Sequence, residues 1–236
     1  FVPDFTVANY VEIFTDPFYF SILLRTVFIA IAVTVLAIIV GFPVSYKLSR
    51  LSPQKASFLL TLIIVPFLTA VVFRTYGLIY IMGNKGVINS FLKSIGLGGI
   101  KLIWNRTGVI LGFLNVLLPY MILSLYSSLT QVDKSLEEAA GTLGANKLRV
   151  IWHVTLPMIK SGIATGSIFV FAIAMGTFVV PSVLGGSREI VMSMLIQQNV
   201  ARINYPGACA IAIVLLILVV GTVGLLVKLL GGEIKF

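Results

Sequence analysis

The sequence predicts an all-α protein whose helices form a polytopic bundle in a membrane. Hydrophobic residues make up 58% of the 236 residues and charged residues only 11%, whereas an average soluble domain has about 25% charged residues. So few charges cannot cover a soluble surface, which excludes a soluble enzyme and a free nucleic-acid-binding protein. The charges are also unevenly placed, because five stretches contain no Asp, Glu, Lys or Arg: Thr26–Tyr46, Ala56–Phe73, Thr107–Val132, Ser161–Ser187 and Ile203–Val227.

Each uncharged stretch predicts one membrane-spanning helix. A helix needs roughly 20 apolar residues to cross the hydrocarbon core of a bilayer. The hydrophobic residues of these stretches are continuous rather than alternating, which is typical of helices and not of barrel strands. We therefore expect a single transmembrane domain over residues 1–236 with five spans: Ile22–Phe42, Phe58–Phe73, Thr107–Tyr126, Gly162–Pro181 and Pro206–Val227.

The segments around and between these spans carry three weaker signals. Pro66, near the middle of the second span, lacks a backbone hydrogen-bond donor and predicts a kink. Hydrophobic residues recur at helical spacing within Lys85–Arg106, which predicts a short helix at the membrane interface. Another short helix is predicted from Arg188 to Asn199.

The sequence offers no set of residues for catalysis or ATP binding. Its single cysteine, Cys209, and single histidine, His153, exclude an internal disulfide and the H-E-x-x-H zinc motif. No Gly-Lys dipeptide occurs, so the chain has no Walker A phosphate loop, and any ATP would be bound by another chain. The alternative class is a secondary transporter driven by an ion gradient. That class usually requires acidic or histidine residues within the spans, and these five spans contain none.

The longest polar connection, residues 129–160, has the pattern of two surface helices joined by a glycine turn. Asp133 can cap the first helix, and Gly144 suits a helix end that needs a positive φ. A second helix can begin near Asn146 and run to Val154. Pro157 would then open the fourth span, since a proline is tolerated in the first turn of a helix.

This connection resembles the cytoplasmic signature loop of permease subunits from binding-protein-dependent ABC importers. That signature is Glu-Ala-Ala, three residues, Gly, nine residues and Ile-x-Leu-Pro, and Val154 in place of Ile is the one departure here. The matching positions are Glu138, Ala139, Ala140, Gly144, Leu156 and Pro157. Other segments resemble the spermidine/putrescine branch of the same family, among them Asp16–Tyr19, Arg74–Gly77 and Tyr205–Ala208.

The resemblance implies a type I importer permease fold with six spans, so a first span is expected before Phe1. It implies a multi-pass protein of the bacterial inner membrane whose signature loop lies in the cytoplasm. The six matching residues would contact a dimer of ATPase subunits, which would hold ATP and Mg, while this chain would hold no cofactor. The other implied partners are a second permease subunit, identical or distinct, a periplasmic substrate-binding protein and membrane lipid, but no nucleic acid.

The resemblance also implies import of a small amino compound, which is a polyamine, an opine or a related amino acid, by alternating access. The spans offer a polyamine no carboxylate, so we expect a substrate with both an amine and a carboxylate group, which Arg74 could meet. A place at the membrane interface, where an arginine can extend to water, explains Arg74 equally well. The other pathway candidates, which helix packing explains equally, are Asn115, Tyr120, Thr177 and Phe178.

Charge alone hardly orients the chain in the membrane. With the signature loop placed inside, nine basic residues face the cytoplasm and eight face outward, although cytoplasmic loops normally carry a clear excess of Lys and Arg. The loop with Lys47, Arg50 and Lys55 has no acid. It favours the same orientation as the resemblance.

Overall fold

The computed structural model describes residues 8–186 and 189–230. Within these residues the chain is helical, and no strand occurs among them. The helices are α1 (Ala8–Thr15), α2 (Pro17–Ser49), α3 (Pro53–Ile64), α4 (Val71–Met82), α5 (Val87–Ser94), α6 (Arg106–Thr130), α7 (Lys134–Thr142), α8 (Lys147–Val150), α9 (Leu156–Met158), α10 (Lys160–Gly176), α11 (Val179–Leu184), α12 (Met192–Ala201) and α13 (Tyr205–Leu230). A 3₁₀ turn at Val65–Leu68 follows α3, and a π-helical turn at Ile151–Thr155 joins α8 to α9.

Three of these helices, α2, α6 and α13, are long and apolar enough to cross a membrane. Two further pairs of helical arms meet the same criterion but are sharply bent. Pro53–Phe67 and Val71–Ser94 meet at 95°, and Lys147–Met158 and Lys160–Gly176 meet at 71°. With each bent pair counted as one span, the number is the five predicted from the sequence. The polytopic all-α fold class is confirmed.

The first long helix, α2, has 33 residues and extends beyond the predicted span Ile22–Phe42 at both ends. Its start is fixed by Pro17 and by Asp16, whose side chain accepts a hydrogen bond from the Phe18 amide at 2.8 Å. Its last turn includes Lys47, one of the basic residues assigned to the loop. Hydropathy detects only the apolar part of a helix. It therefore underestimates the length of a helix that continues into water.

The core of the bundle lies where α2, α6 and α10 pack side by side. Small residues bring α6 and α10 very close, because a Cβ atom placed on Gly166 would lie 2.7 Å from Met121 Sδ. The hydroxyl of Ser124 on α6 also donates to the Gly162 carbonyl of α10 at 2.8 Å. Close backbone approach and hydroxyl hydrogen bonds are the usual means by which membrane helices associate.

The second span is broken rather than kinked. α3 ends at Ile64, the turn containing Pro66 follows, and α4 begins only at Val71. Pro66 cannot donate a backbone hydrogen bond, and Thr69 beyond it is in the extended conformation, with ψ at 132°. The predicted span Phe58–Phe73 therefore covers most of the arm Pro53–Phe67 and only the start of the arm Val71–Ser94, which meets the first at 95°.

The fourth span ends earlier than the predicted limit at Pro181. α10 stops at Gly176, and Thr177 has φ −83° and ψ 125°, outside the helical region. A proline clashes with the carbonyl of the residue four positions before it, and for Pro181 that residue is Thr177. The chain then forms the short helix α11 on the far side of this break.

The prediction that Pro157 opens the fourth span is wrong. Pro157 lies in α9, and the chain bends by 71° before α10 begins at Lys160. Ile159 forms this corner with φ −99° and ψ 16°, and its side chain is fully buried. Pro157 therefore lies in the arm before the bend and not in the first turn of α10.

Two short helices connect the spans at one end of the bundle. The short helix predicted within Lys85–Arg106 is present as α5, whose Val87 and Phe91 side chains are 71% and 64% exposed. Buried Asn89 fastens it to the following loop, because its amide donates to the Ile100 carbonyl at 3.0 Å and its carbonyl accepts from the Ile100 amide at 2.7 Å. The second helix, α12, begins at Met192, and the predicted start at Arg188 lies outside the described residues.

Ion pairs mark the two opposite ends of the bundle. Glu189 lies between Arg25 and Arg106, with nitrogen–oxygen distances of 3.7 and 3.4 Å. At the other end of α2, Arg50 pairs with Glu137 of α7. The basic loop and the signature connection therefore share one end, as the sequence predicts.

Candidate coupling segment and substrate-pathway residues

The first helix of the signature connection is capped at both ends. Asp133 accepts a hydrogen bond from the Ser135 amide at 2.9 Å, and this bond holds the pKa of the Asp133 carboxyl below its ordinary value. At the other end of α7, the Gly144 and Ala145 amides donate to the Gly141 and Ala140 carbonyls at 3.0 and 3.1 Å. This pair of bonds is a Schellman motif. Gly144 has φ +86°, as predicted.

The second half of the connection is a continuous surface helix with a wider turn inside it. Asn146 caps α8 by accepting from the Arg149 amide at 2.8 Å, and the helix continues through the π-helical turn into α9. The predicted helix from Asn146 to Val154 is thus confirmed and is somewhat longer. Leu156 is half-buried and Pro157 is exposed, and both lie just before the corner that leads into α10.

Residues 133–158, which we call the coupling segment, expose apolar and acidic side chains together. Glu138 and Ala139 are exposed, and Ala140 is half-buried. Leu143 and Trp152 are 89% and 66% exposed. Large apolar side chains outside the membrane spans that remain in contact with solvent indicate a protein-binding surface.

Glu137, the neighbour of Glu138, points in the opposite sense, into the protein. Its carboxylate pairs with the Arg50 guanidinium and accepts hydrogen bonds from the hydroxyls of Tyr46 at 3.1 Å and Thr155 at 2.9 Å. Only 13% of the Glu137 side chain is exposed. These contacts join α7 to the end of α2 and to the π-helical turn.

The sequence analysis missed Glu137, although a signal was present. Successive helical residues point about 100° apart, so two adjacent glutamates cannot both face the same partner. The basic loop around Arg50 supplied a possible internal partner for one of them. Which of Glu137 and Glu138 faces the protein interior depends on the residue at which the helix begins, and Asp133 fixes that start.

The pathway candidates Arg74 and Tyr120 meet at the break in the second span. Arg74 lies in the first turn of α4, where its Nη1 donates to the Pro66 carbonyl at 3.2 Å. Its guanidinium lies over the Phe67 ring at 5.4 Å, and the same ring packs edge-to-face on Tyr120 at 4.8 Å. Arg74 therefore lies just after the break in the second span, where its hydrogen bond joins α4 to the turn that contains Pro66.

Tyr120 also borders a groove of about 340 Å³ between α6 and α10. Six of its nine lining residues carry hydroxyl groups, and none of the nine is charged. Its lining includes Tyr120, Ser124, Ser127, Ser128, Ser161 and Thr165. Such a surface can accept hydrogen bonds from a cationic amine without repelling it.

The remaining pathway candidates lie elsewhere. Thr177 forms the break at the end of α10, and Phe178 lines a second groove of about 400 Å³ together with Ser193 and Gln197 of α12. The Ser193 hydroxyl is buried there without a hydrogen-bond partner. Asn115 is exposed on α6 and lines neither of the two grooves.

The fold and the coupling segment together define the membrane subunit of a transporter rather than an enzyme. Residues 18–230 match the family described as the binding-protein-dependent transport system inner membrane component. The chain belongs to this family and is a permease subunit of an ABC importer in the inner membrane.

Several relatives of known name are similar to almost the whole chain. The spermidine/putrescine transport system permease protein PotB of Escherichia coli is 35% identical over 216 residues, which are 90% of this chain and 78% of that protein. PotB of Haemophilus influenzae is 33% identical over 217 residues, 90% and 75% of the two chains. The molybdenum transport system permease protein ModB of Mycobacterium bovis is 32% identical over 207 residues, 87% and 77% of the two chains.

A solved structure has the same fold. It is a bacterial alginate ABC transporter in complex with an alginate pentasaccharide-bound periplasmic protein. The similarity has a TM-score of 0.76 over 92% of this chain and 80% of that chain, at 16% sequence identity. The predicted type I permease fold and the resemblance to the spermidine/putrescine branch are thereby confirmed.

Proposed function

We propose that this chain is the permease subunit of an ATP-driven importer that moves a small amino compound from periplasm to cytoplasm by alternating access. The observation that carries the proposal is the coupling segment, where a capped helix and a glycine turn present Glu138, Ala139 and Leu143 to solvent. A separate ATPase dimer binds ATP and Mg, and its movement reaches the spans through α7. The chain itself holds no cofactor.

The coupling segment has the chemistry of a surface that another protein covers. Ala139 and Gly141 allow close approach, while exposed Glu138 can receive a charge-assisted hydrogen bond from a basic group of the ATPase. Leu143 and Trp152 add apolar area that water otherwise covers. The same surface includes exposed Gly144 and Pro157 and half-buried Ala140 and Leu156. We therefore assign the ATPase contact to the exposed face of residues 133–158.

The other partners follow from the remaining surfaces. α13 exposes Leu216, Ile217 and Val220 along one side, which suits membrane lipid. A second permease subunit, most simply a distinct one, completes the translocation pathway, and a periplasmic binding protein delivers the substrate at the end that carries Glu189. None of these roles involves nucleic acid.

The substrate class we favour is a polyamine. The PotB relatives carry spermidine and putrescine in their names, although ModB is almost as similar, so identity alone does not choose between them. Arg74 donates to Pro66 and stacks on Phe67, so it has a role within the chain that requires no substrate carboxylate. The hydroxyl-lined groove beside Tyr120 contains no cation and suits amine groups. This chemistry replaces our expectation of a substrate with both an amine and a carboxylate.

Reconstitution tests the proposal. The permease, a second permease, the ATPase dimer and the binding protein are placed in liposomes, and uptake of putrescine, an opine and molybdate is measured. Putrescine uptake should require ATP inside and persist when an ionophore removes the ion gradients. Uptake that persists without ATP and stops with the ionophore would support an ion-coupled transporter instead. Molybdate uptake without putrescine uptake would refute the substrate class alone.

A further inference from the structure

Two adjacent glutamates of α7 have opposite surroundings. Glu138 is exposed, whereas Glu137 is largely buried and has three hydrogen-bonding partners. A carboxylate withdrawn from water is stable only when its oxygens are well paired. The hydrogen bonds around Glu137 are therefore specific, and they have a role that differs from contact with a partner at the outer surface.

The three partners of Glu137 come from two other parts of the chain. Tyr46 lies at the cytoplasm-directed end of α2, and Arg50 is the residue that caps this end. Thr155, which is fully buried, belongs to the π-helical turn that leads towards α10. One carboxylate thus joins α7 to the first long span and to the segment before the fourth span.

The partners of Glu137 are themselves held in place. The Arg50 guanidinium lies over the Tyr46 ring at 5.0 Å, and that ring stacks on Phe42 one turn earlier at 5.9 Å. A charged pair whose two sides are fixed by packing loses little side-chain freedom when it forms. The junction can therefore transmit force between α7 and α2 without first being ordered.

Apart from this junction, α7 is held by its packing on α8 and the π-helical turn and by the chain at its two ends. Residues 131–133 connect it to α6, and the Gly144 turn connects it to α8. Each connection is a short turn held by one or two local hydrogen bonds. If the junction were lost, a force applied at the exposed face could swing α7 on these turns without moving the spans.

We propose that Glu137 is the positioning residue that makes α7 and the inner end of α2 move as one body during ATP-driven transport. The proposal rests on the proposed function, in which the ATPase contacts α7. Glu138 binds the ATPase, and Glu137 carries the resulting displacement into α2 and, through Thr155, towards α10. Loss of Glu137 therefore leaves the ATPase bound but disconnects its movement from the spans.

Movement at the inner end of α2 can reach the rest of the bundle directly. The buried Ser45 hydroxyl, one residue before Tyr46, donates to the Ile122 carbonyl of α6 at 3.0 Å. Near the other end of α2, the Thr26 hydroxyl accepts from the Met192 amide at the start of α12 at 3.0 Å. α2 is thus tied to neighbouring elements along its length.

Distance measurements on the full complex test the junction. Cysteines replace exposed Lys47 on α2 and Thr142 on α7 in a Cys209→Ala background, and spin labels report their separation with and without ATP and vanadate. In the wild-type protein the distance should stay the same in both states. In Glu137→Gln, which keeps an acceptor oxygen but removes the charge, it should change with nucleotide or become broad. An unchanged distance in Glu137→Gln, or an equal change in the wild type, would overturn the proposal.

The number of substrate molecules taken up per ATP hydrolysed gives a second measurement, which would not change if the role of Glu137 were purely structural. Glu137→Gln, Arg50→Gln and the double variant should retain as much ATPase in the purified complex as the wild type. Uptake per ATP hydrolysed should fall by about tenfold in each. Uptake per ATP in the double variant should be no lower than in either single variant, because all three variants remove the same junction. Loss of the ATPase subunit from Glu137→Gln, or strictly additive losses, would show that Glu137 has another role.

A further pair of labels separates failure of this inference from failure of the proposed function. One label stays at Thr142 and the other moves to Val87, which is exposed on α5 near the opposite end. If the ATPase acts on α7, this distance should change with nucleotide in the wild type. A constant Thr142–Val87 distance would contradict coupling through α7 itself. A changing one, together with a normal Lys47–Thr142 distance in Glu137→Gln, would refute only the role of Glu137.

Discussion

At the scale of single residues, Gly144 decides the direction in which the coupling segment leaves α7. Its φ of +86° lies in the left-handed region, and a Cβ atom added there would meet no atom within 4 Å. Glycine is therefore required at this position by the backbone conformation and not by side-chain packing. Asparagine is the other residue that commonly adopts this conformation.

We predict that Gly144→Val disrupts coupling and that Gly144→Asn largely preserves it. Valine should destabilise the turn by roughly 1–2 kcal/mol because of its cost in the left-handed region. ATP-driven uptake and binding of the ATPase are the measurements, with the amount of inserted permease as the control. Equal uptake by both variants would mean that the turn does not set the contact.

We also predict that Glu138→Ala weakens the ATPase contact and leaves the permease itself intact. Removing one charge-assisted hydrogen bond should lower the affinity for the ATPase by about tenfold. Glu12→Ala is the matched control, since Glu12 is an exposed glutamate on α1. The measurement is the amount of ATPase that each variant retains in a pull-down. Equal retention by both variants would contradict the role of Glu138 in binding the ATPase.

At the scale of elements, the breaks in two spans show how far the sequence alone could predict the fold. Pro66 predicted a disturbance, but a missing hydrogen bond does not determine a bend of 95°. The direction of the α4 arm depends on Phe67 packing against Tyr120, which is 53 positions away in the sequence. Gly144 and Asp133 were predictable because their constraints are local. The adjacent glutamates were a local signal for Glu137, but its pairing with Arg50, Tyr46 and Thr155 was harder to predict, because these partners come from distant segments.

The break in the second span should depend on Arg74. Arg74→Gln removes the cation over Phe67 and weakens the hydrogen bond to Pro66, so the two arms should lose their fixed angle. We expect uptake to fall about fivefold, in keeping with a cation–π contact of roughly 1 kcal/mol, while Arg74→Lys keeps part of it. Uptake assays on both variants at equal membrane content provide the measurement. A loss confined to substrates with a carboxylate would instead assign Arg74 to substrate binding.

At the scale of the whole molecule, the orientation can be tested with single cysteines in a Cys209→Ala background. Ala140→Cys should crosslink to a cysteine of the ATPase with a yield that changes with nucleotide. Val87→Cys should not crosslink, but should react with an impermeant thiol reagent added from the periplasmic side. If the reagent modifies Ala140→Cys from that side instead, the topology is inverted and the coupling assignment is wrong.

The tight crossing of α6 and α10 also makes the protein sensitive to the thickness of its bilayer. α10 has 17 residues and α6 has 25, or about 26 and 38 Å of helix, against a hydrocarbon core of about 30 Å. Because Gly166 packs directly against Met121, a change in the tilt of one helix disturbs its contact with the other. We therefore expect the lipid beside α10 to thin locally, at a cost that rises with the thickness of the bilayer.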